Sequence, residues 1–147
     1  MYKVELYTPE RKKEWNIFIE NAKNSTFLFD RNYMDYHADR FQDFSLMIYR
    51  KNKLYALLPA NKKNDVLYSH QGLTYGGLIM SKKSTTLEVI ETFQAINSFL
   101  KEQNINKVIY KPIPYIYHQV PSQEDLYALF KTTDARIIGR NISSTIY

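Results

Sequence analysis

The spacing of apolar residues predicts alternating strands and helices along most of the chain. Residues 3–7 alternate polar and apolar side chains, which is typical of a short strand. Thr8, Pro9 and Glu10 then supply the hydroxyl, the proline and the acidic residue that favour a helix start. The apolar face of this helix comprises Trp15, Phe18, Ile19 and Ala22. A second short helix is expected after Asp30.

Three strands and a long helix are predicted next. Residues 44–50 and 53–60 are two strands joined by a tight turn, and a third strand starts at Val66. The polar residues 61–65 between them are interpreted as a turn. Thr85 and Glu88 have the spacing of a capping box, which predicts a helix whose apolar positions recur every three or four residues.

The C-terminal third predicts a strand, a helix and a further strand or two. Residues 107–111 carry a short apolar run, as expected of a central strand buried on both faces. Ser122 with Asp125 is interpreted as the cap of the next helix. The residues of that helix expected to face inward are Leu126, Leu129 and Phe130. Residues 135–147 are interpreted as one or two strands.

The resulting order is β-α-α-β-β-β-α-β-α-β. Such an order predicts one α/β (α+β) domain over residues 1–147, with a mixed sheet and helices on both faces. The chain has 20 basic and 15 acidic residues, a net charge of +5, which favours anionic partners. No long basic stripe or RNA-binding motif accompanies that charge, so tRNA is disfavoured as a partner.

Composition excludes several kinds of chemistry. The chain has no cysteine, so disulfides, thiolate metal sites and a cysteine nucleophile are excluded. Three scattered histidines show no metal-ligand spacing, and we expect no metal. The N-terminus lacks a signal-like apolar region, and no run of about 18 apolar residues predicts a membrane span. A cytoplasmic location is therefore expected.

The most unusual stretch is residues 67–78, which holds three of the four glycines. Gly72, Gly76 and Gly77 lie between a predicted strand and a predicted helix, where α/β proteins often hold ligands. The first interpretation is that the stretch borders an open groove and that its glycines contact a substrate. A hairpin or bulge without a ligand is the second interpretation, and the sequence does not decide between them.

The element order and several segments resemble the N-terminal half of bacterial Fem-like tandem proteins, which belong to the GNAT acyltransferase superfamily. The segments that carry the resemblance are Trp15 with Phe18, Ser25-Thr26-Phe27-Leu28, Tyr33-Met34-Asp35-Tyr36-His37, Asp39-Arg40-Phe41, Asp43-Phe44-Ser45-Leu46, Leu57-Leu58-Pro59-Ala60-Asn61 and Ser69-His70-Gln71-Gly72-Leu73-Thr74-Tyr75-Gly76-Gly77. The resemblance implies transfer of an acyl or aminoacyl group to an amine of a sugar or a cell-envelope precursor. It also implies a second GNAT-like half as partner. Exposed strand edges in such a half would predict pairing with another copy, a homodimer.

The resemblance implies acyl-CoA as a cofactor, but one motif departs from the family pattern. GNAT domains usually carry a glycine-rich phosphate loop before the central helix, and residues 78–85 contain no glycine. Lys82 and Lys83 remain as the cofactor-binding candidates. Two alternatives stay open: an N-acyltransferase domain, and a non-catalytic GNAT-like half that binds the acceptor or packs on a partner domain.

Candidate site residues follow from what acyl transfer to an amine requires, which is a base and an acidic hydroxyl. His70 is the candidate base and Tyr75 the candidate acid. The substrate-binding candidates, besides the three glycines, are Tyr110, Lys111, Tyr117 and His118. For each side chain a purely structural role is the alternative.

Overall fold

The computed structural model describes residues 1–37, 39–137 and 139. They form two four-stranded sheets with helices on both faces, which confirms the predicted mixed α/β class. The strands are β1 (Tyr2–Leu6), β2 (Gln42–Asp43), β3 (Leu46–Arg50), β4 (Lys53–Leu58), β5 (Asn61–Lys63), β6 (Val66–Ser69), β7 (Ile79–Met80) and β8 (Lys107–Tyr110). The helices are α1 (Lys12–Asn21), α2 (Arg31–Met34), α3 (Thr86–Glu102) and α4 (Glu124–Thr132).

Three chain segments, residues 42–50, 53–63 and 66–80, contribute strands to both sheets. One sheet has the order β1-β3-β4-β7 and is antiparallel throughout. The other has the order β2-β5-β6-β8, in which β8 runs parallel to β6. Pro59, which has no N–H, follows β4 where its segment changes sheet. The Ser45 hydroxyl restores the pairing there, because it contacts both the N–H and the carbonyl of Ala60, at 3.1 and 3.2 Å.

Strand alternation explains why both faces of the first sheet are covered. Successive side chains of β3 point to opposite faces. Leu46 and Ile48 therefore pack in the cluster that includes α3, whereas Met47 packs with Trp15 of α1. Trp15 is fully buried, and its indole N–H donates to the Phe29 carbonyl at 2.7 Å. The predicted apolar face of α1 is thus confirmed.

Two of the predicted capping motifs are present, at the starts of α2 and α3. The Thr85 hydroxyl accepts from the Glu88 N–H at 3.3 Å, and the Glu88 carboxylate accepts from the Thr85 N–H at 3.2 Å, which completes the capping box. Asp30 caps α2 by accepting from the Asn32 N–H at 2.8 Å. Both motifs involve residues two or three positions apart, so neighbouring sequence was sufficient to predict them.

Two strand predictions were wrong. Residues 61–65 are not a turn as a whole, because Asn61–Lys63 pairs with Val66–Ser69 as β5 and only residues 64–65 turn. Cross-strand hydrogen bonding decides this, whatever the polarity of the side chains. β8 is also not central among the described residues: it pairs with β6 alone, and Val108 is 40% exposed.

The inward face of α4 agrees with the prediction only at Leu129, which is partly buried against the core cluster that includes α3. Leu126 and Phe130 are 42% and 76% exposed, whereas Asp125 and Ala128 are buried. Gln123 precedes the helix and makes no side-chain cap, so the expected cap by Ser122 and Asp125 is wrong. Asp125 faces inward because it accepts a hydrogen bond from a buried tyrosine, as described below. The strands expected over residues 135–147 fall largely on residue 138 and residues 140–147, outside the described residues, and residues 135–137 form no strand.

Candidate functional site

Residues 22–24, which we call the inserted segment, cover the outer edge of β7. The Lys23 N–H donates to the Met80 carbonyl at 3.0 Å, and Ala22 forms a single antiparallel bridge with Ser81. The Asn24 side chain extends this pairing. Its amide donates to the Leu78 carbonyl at 2.8 Å and accepts from the Met80 N–H at 2.9 Å. Asn24 is 1% exposed, so these bonds are made away from water.

The inserted segment also contacts the loop that follows β8. The Lys23 carbonyl accepts from the Gln119 N–H at 2.8 Å and from the Val120 N–H at 3.4 Å. The segment therefore bridges β7 and this loop. A free strand edge is where an extended ligand adds to a sheet through main-chain hydrogen bonds. In this protein the chain itself occupies that edge.

A buried ion pair fixes the inserted segment to α4. Lys23 Nζ donates to Glu124 Oε1 at 2.8 Å, and the Lys23 side chain is 3% exposed. Burial is the largest single influence on the pKa of Glu124 and raises it, but the hydrogen bond and the charge of Lys23, together with smaller hydrogen-bond contributions, outweigh burial, so the pKa is lowered. Glu124 is thus held as the carboxylate at neutral pH.

The glycines of residues 67–78 allow the chain to approach itself closely. A Cβ added at Gly76 would lie 1.9 Å from the Ser69 carbonyl oxygen. Gly77 has φ +103°, and a Cβ added there would lie 3.1 Å from the Tyr110 hydroxyl. At Gly72 the added atom would lie 2.6 Å from the Phe41 ring. Their expected contact with substrate stays a prediction, but each glycine already has a structural reason.

The expectation that this stretch borders an open groove is wrong for residues 75–78, all of which are buried. His70 is buried too, 8% exposed, and packs edge-on against Phe41. Its Nδ1 accepts from the Gly72 N–H at 3.1 Å, and burial lowers the pKa of His70 to about 4. A neutral imidazole with so low a pKa is a weak base at pH 7. The catalytic role of His70 stays a prediction.

Tyr110 and Lys111 direct their polar atoms into the protein. The Tyr110 hydroxyl donates to Asp125 Oδ2 and accepts from the Leu78 N–H, both at 2.6 Å. Lys111 Nζ donates to the Leu73 carbonyl at 2.7 Å, and burial lowers the pKa of Lys111. These bonds connect the end of β8 to residues 73–78 and to α4. Their predicted substrate contacts stay predictions.

Loss of the Tyr110–Asp125 hydrogen bond in a Tyr110→Phe variant should cost more stability at high pH than at low pH. Burial raises the pKa of Asp125, and the Tyr110 hydrogen bond partly offsets that rise. Because the pKa of Asp125 is raised in the folded state, the protein loses stability as the pH rises through that pKa. Removal of the Tyr110 hydroxyl raises the folded-state pKa of Asp125 further. We expect Tyr110→Phe to lower the free energy of unfolding by about 2 kcal/mol near pH 8, and by less near pH 4.

Urea denaturation at the two pH values measures this difference. Tyr127→Phe is the matched control, because Tyr127 lies on α4 and is 50% exposed. It should change the free energy of unfolding by less than about 0.5 kcal/mol at either pH. A Tyr110→Phe deficit that is equal at both pH values would show that ionised Asp125 does not depend on this hydroxyl.

Two open pockets flank the loop that follows β8. The first has a volume of about 570 Å³ and is lined by Ile19, Glu20, Ser25, Thr26, Phe27, Asp30, Asn32, Tyr33 and Gln119. Tyr75 is buried behind the residues that line this pocket, and its hydroxyl donates to Thr26 Oγ1 at 3.2 Å. Tyr117 stacks on Tyr75 with ring centroids 5.4 Å apart. Two of the predicted site residues are therefore brought together beside the first pocket.

The second pocket, of about 630 Å³, is lined by Thr86, Tyr115, His118, Pro121, Ser122, Gln123, Glu124 and Tyr127. His118 Nε2 lies 3.1 Å from the Ile113 carbonyl, an arrangement that orients the ring. Lys82 and Lys83 are exposed in the turn before α3. Neither pocket is lined by His70 or Lys111, so the structure does not gather the predicted residues into one site.

Sequence reasoning missed the residues that build the first pocket. Phe27 and Tyr33 lie in segments that carried the family resemblance, but nothing in their spacing indicated a shared surface. Residues 23 and 24 directly follow Ala22, the last residue of the apolar face predicted for the first helix. The available signal was the run of polar residues 23–26 between two apolar segments, which turns out to be partly buried rather than a solvated loop.

Comparison with known proteins supports the fold and leaves the family open. No protein-family model matches the chain. The chain is 30% identical over 138 residues to the RecBCD enzyme subunit RecB of Buchnera aphidicola subsp. Acyrthosiphon pisum. That match covers 81% of this chain but 12% of RecB, so the chain spans about an eighth of that relative.

Two solved structures are similar to this one. TTHA1254 from Thermus thermophilus aligns with a TM-score of 0.50 and 11% identity, over 99% of this chain and 96% of that one. A probable acetyltransferase from Staphylococcus epidermidis aligns with a TM-score of 0.46 and 15% identity, over 74% and 71%. At this identity the TTHA1254 alignment shows a shared fold alone. None of the helices in the described ranges has the length and apolarity of a membrane span.

Proposed function

We propose that this chain is a GNAT-like domain that binds the amine acceptor of an acyl or aminoacyl transfer, and that it does not itself bind acyl-CoA. The observation that carries the proposal is the inserted segment. The Asn24 side chain hydrogen-bonds to both the Leu78 carbonyl and the Met80 N–H. These backbone groups at the edge of β7 are therefore not free to bind an extended acyl donor. Of the two alternatives left open by the sequence, this favours the acceptor-binding domain.

The turn before α3 supports the same conclusion, because three of its backbone amides, and one in the first turn of α3, already have partners. The N–H groups of Lys83 and Ser84 donate to Ser81, and those of Thr85 and Glu88 are used in the capping box. A phosphate-binding loop needs such amides free and pointing at the ligand. Lys82 and Lys83 alone would meet a phosphate as mobile point charges.

Glu88 adds a negative charge at the same helix end. Its carboxylate accepts from Tyr55 at 2.7 Å and pairs with Arg50 at 3.0 Å. The hydrogen bond from Tyr55 lowers the pKa of Glu88, so the group is ionised at neutral pH. An ionised carboxylate within the first turn of α3 already interacts favourably with the positive end of the helix dipole. A phosphate would have to bind at the same end, next to this negative charge.

Isothermal titration with acetyl-CoA tests the proposal. We expect no heat of binding up to about 5 mM acetyl-CoA, because neither the β7 edge nor the turn before α3 is free to hold it. Micromolar binding that disappears in a Lys82→Ala, Lys83→Ala double variant would overturn the proposal and support the N-acyltransferase alternative.

A partner must supply the acyl donor if this domain holds the acceptor. A second GNAT-like half with its own phosphate loop would meet that need, and a separate protein that binds the acyl donor would do so as well. The acceptor would then bind at a surface that stays open in this chain. Both open pockets lie beside the loop after β8, and the chemistry of the first one is specific enough to name a ligand class.

A further inference from the structure

The first pocket exposes two large aromatic rings to solvent. Phe27 is 70% exposed and Tyr33 is 45% exposed, and their ring centroids lie 5.3 Å apart in an edge-to-face arrangement at 80°. Exposed aromatic side chains that meet in a concave site lose contact with water when a ligand covers them. The two rings form an apolar surface on which the C–H face of a pyranose ring can pack.

Polar groups around these rings are available for a ligand with several hydroxyls. The side-chain amides of Asn32 and Gln119 make no hydrogen bond to other described residues. Thr26 Oγ1 accepts from Leu28 and Tyr75, so its own proton remains to be donated. Asp30 uses Oδ1 to cap α2 and keeps its second oxygen as an acceptor. Amides and a hydroxyl both donate and accept, as a sugar does.

The charge of the pocket selects among polar ligands. Its charged lining residues are Glu20 and Asp30, both acidic, although the whole chain carries +5. Two carboxylates disfavour phosphates and carboxylates and favour an ammonium group. Phe27 and Tyr33 add the negative faces of aromatic rings, which also attract a cation. The volume of about 570 Å³ is in the range of small-molecule sites.

From these observations we infer that the first pocket binds an amino sugar with a free amine. The apolar face of the sugar ring lies on Phe27 and Tyr33, its ammonium faces Asp30 and Glu20, and its hydroxyls bond to Asn32 and Gln119. This inference rests on the proposed function, since it names the class of the amine acceptor.

Titration with glucosamine, followed by saturation-transfer NMR and calorimetry, tests the inference. We expect millimolar binding to the intact chain, weakened about ten-fold by Phe27→Ala or Tyr33→Ala and several-fold by Asp30→Asn. Asparagine caps a helix as well as aspartate does, so Asp30→Asn removes the charge without removing the cap. Phe130→Ala is the matched control, because Phe130 is 76% exposed and lies on α4, outside the pocket.

The choice of ligands separates the failure of this inference from the failure of the proposed function. Glucose, which has no amine, and N-acetylglucosamine, whose amine is blocked, should bind more weakly than glucosamine. If lysine binds with dependence on Phe27 and glucosamine does not, the sugar class is overturned and an amine acceptor stands. If neither amine binds, both proposals fall. Equal loss of glucosamine binding in Phe27→Ala and Phe130→Ala would overturn the site.

Discussion

Replacing Gly76 by alanine should lower the free energy of unfolding by about 4 kcal/mol or more, the largest effect we expect from one added methyl group. The new Cβ would lie 1.9 Å from the Ser69 carbonyl oxygen and 2.7 Å from the His70 nitrogen. Both are backbone atoms, so no side chain can rotate to make room. Relief requires separating residues 69–70 from residue 76, which also breaks the 3.0 Å bond from the Gly76 N–H to the Lys111 carbonyl.

Urea denaturation followed by the fluorescence of Trp15 measures this loss, since Trp15 is the single tryptophan and is fully buried. Gly139→Ala is the matched control: a Cβ added at Gly139 meets nothing within 4 Å. That variant should stay within about 0.5 kcal/mol of the unmodified chain. A Gly76→Ala protein that unfolds within about 1 kcal/mol of the unmodified chain would contradict the close approach of residues 69 and 76.

Asn24→Ala should lower the free energy of unfolding by about 3 kcal/mol. The change leaves the Leu78 carbonyl and the Met80 N–H without partners at a position that is 1% exposed. An unsatisfied buried backbone group costs about 1–3 kcal/mol, and two are created. The effect tests the inserted segment directly, because no other contact of Asn24 explains so large a loss.

The same denaturation experiment applies to Asn24→Ala, with Asn21→Ala as its control. Asn21 is exposed, and its amide donates to the Ile17 carbonyl one turn earlier at 2.8 Å. Loss of that solvent-exposed bond should cost less than about 0.5 kcal/mol. If the two asparagine variants prove equally stable, the edge of β7 is open to a ligand, and the proposal that this domain excludes acyl-CoA loses its support.

Features that depend on neighbouring residues were predictable. The capping box of Thr85 and Glu88 and the Asp30 cap were expected from spacing and are present. The fold class was predicted from the spacing of apolar residues, which changes between the helical and the strand pattern along the chain. Each such pattern can be recognised within about ten consecutive residues. Features that depend on a distant partner were not predictable. Asp125 faces inward because of Tyr110, fifteen positions earlier, and a helical pattern alone pointed to Leu126 instead.

The candidate site shows the same division. Tyr75 and Tyr117 were named as site residues, and they stack beside the first pocket. His70 was named for the usual pKa of histidine, but burial sets its pKa to about 4. Phe27 and Tyr33 form a shared wall only because residues 26–34 fold back into two short helical turns. Solvent exposure and side-chain pairing of this kind depend on three-dimensional packing, which spacing does not encode.

By itself the sequence determined the class of fold, the caps of α2 and α3, the absence of thiol chemistry and the missing glycines before α3. Each of these is a property of composition or of residues a few positions apart. Only the tertiary structure decided that residues 22–24 cover the edge of β7, that the glycine-rich stretch packs against itself, and that an acidic aromatic pocket opens beside Thr26. The reason is that burial and hydrogen-bond partners are set by segments distant in the chain, and these determine which polar groups remain free for a ligand.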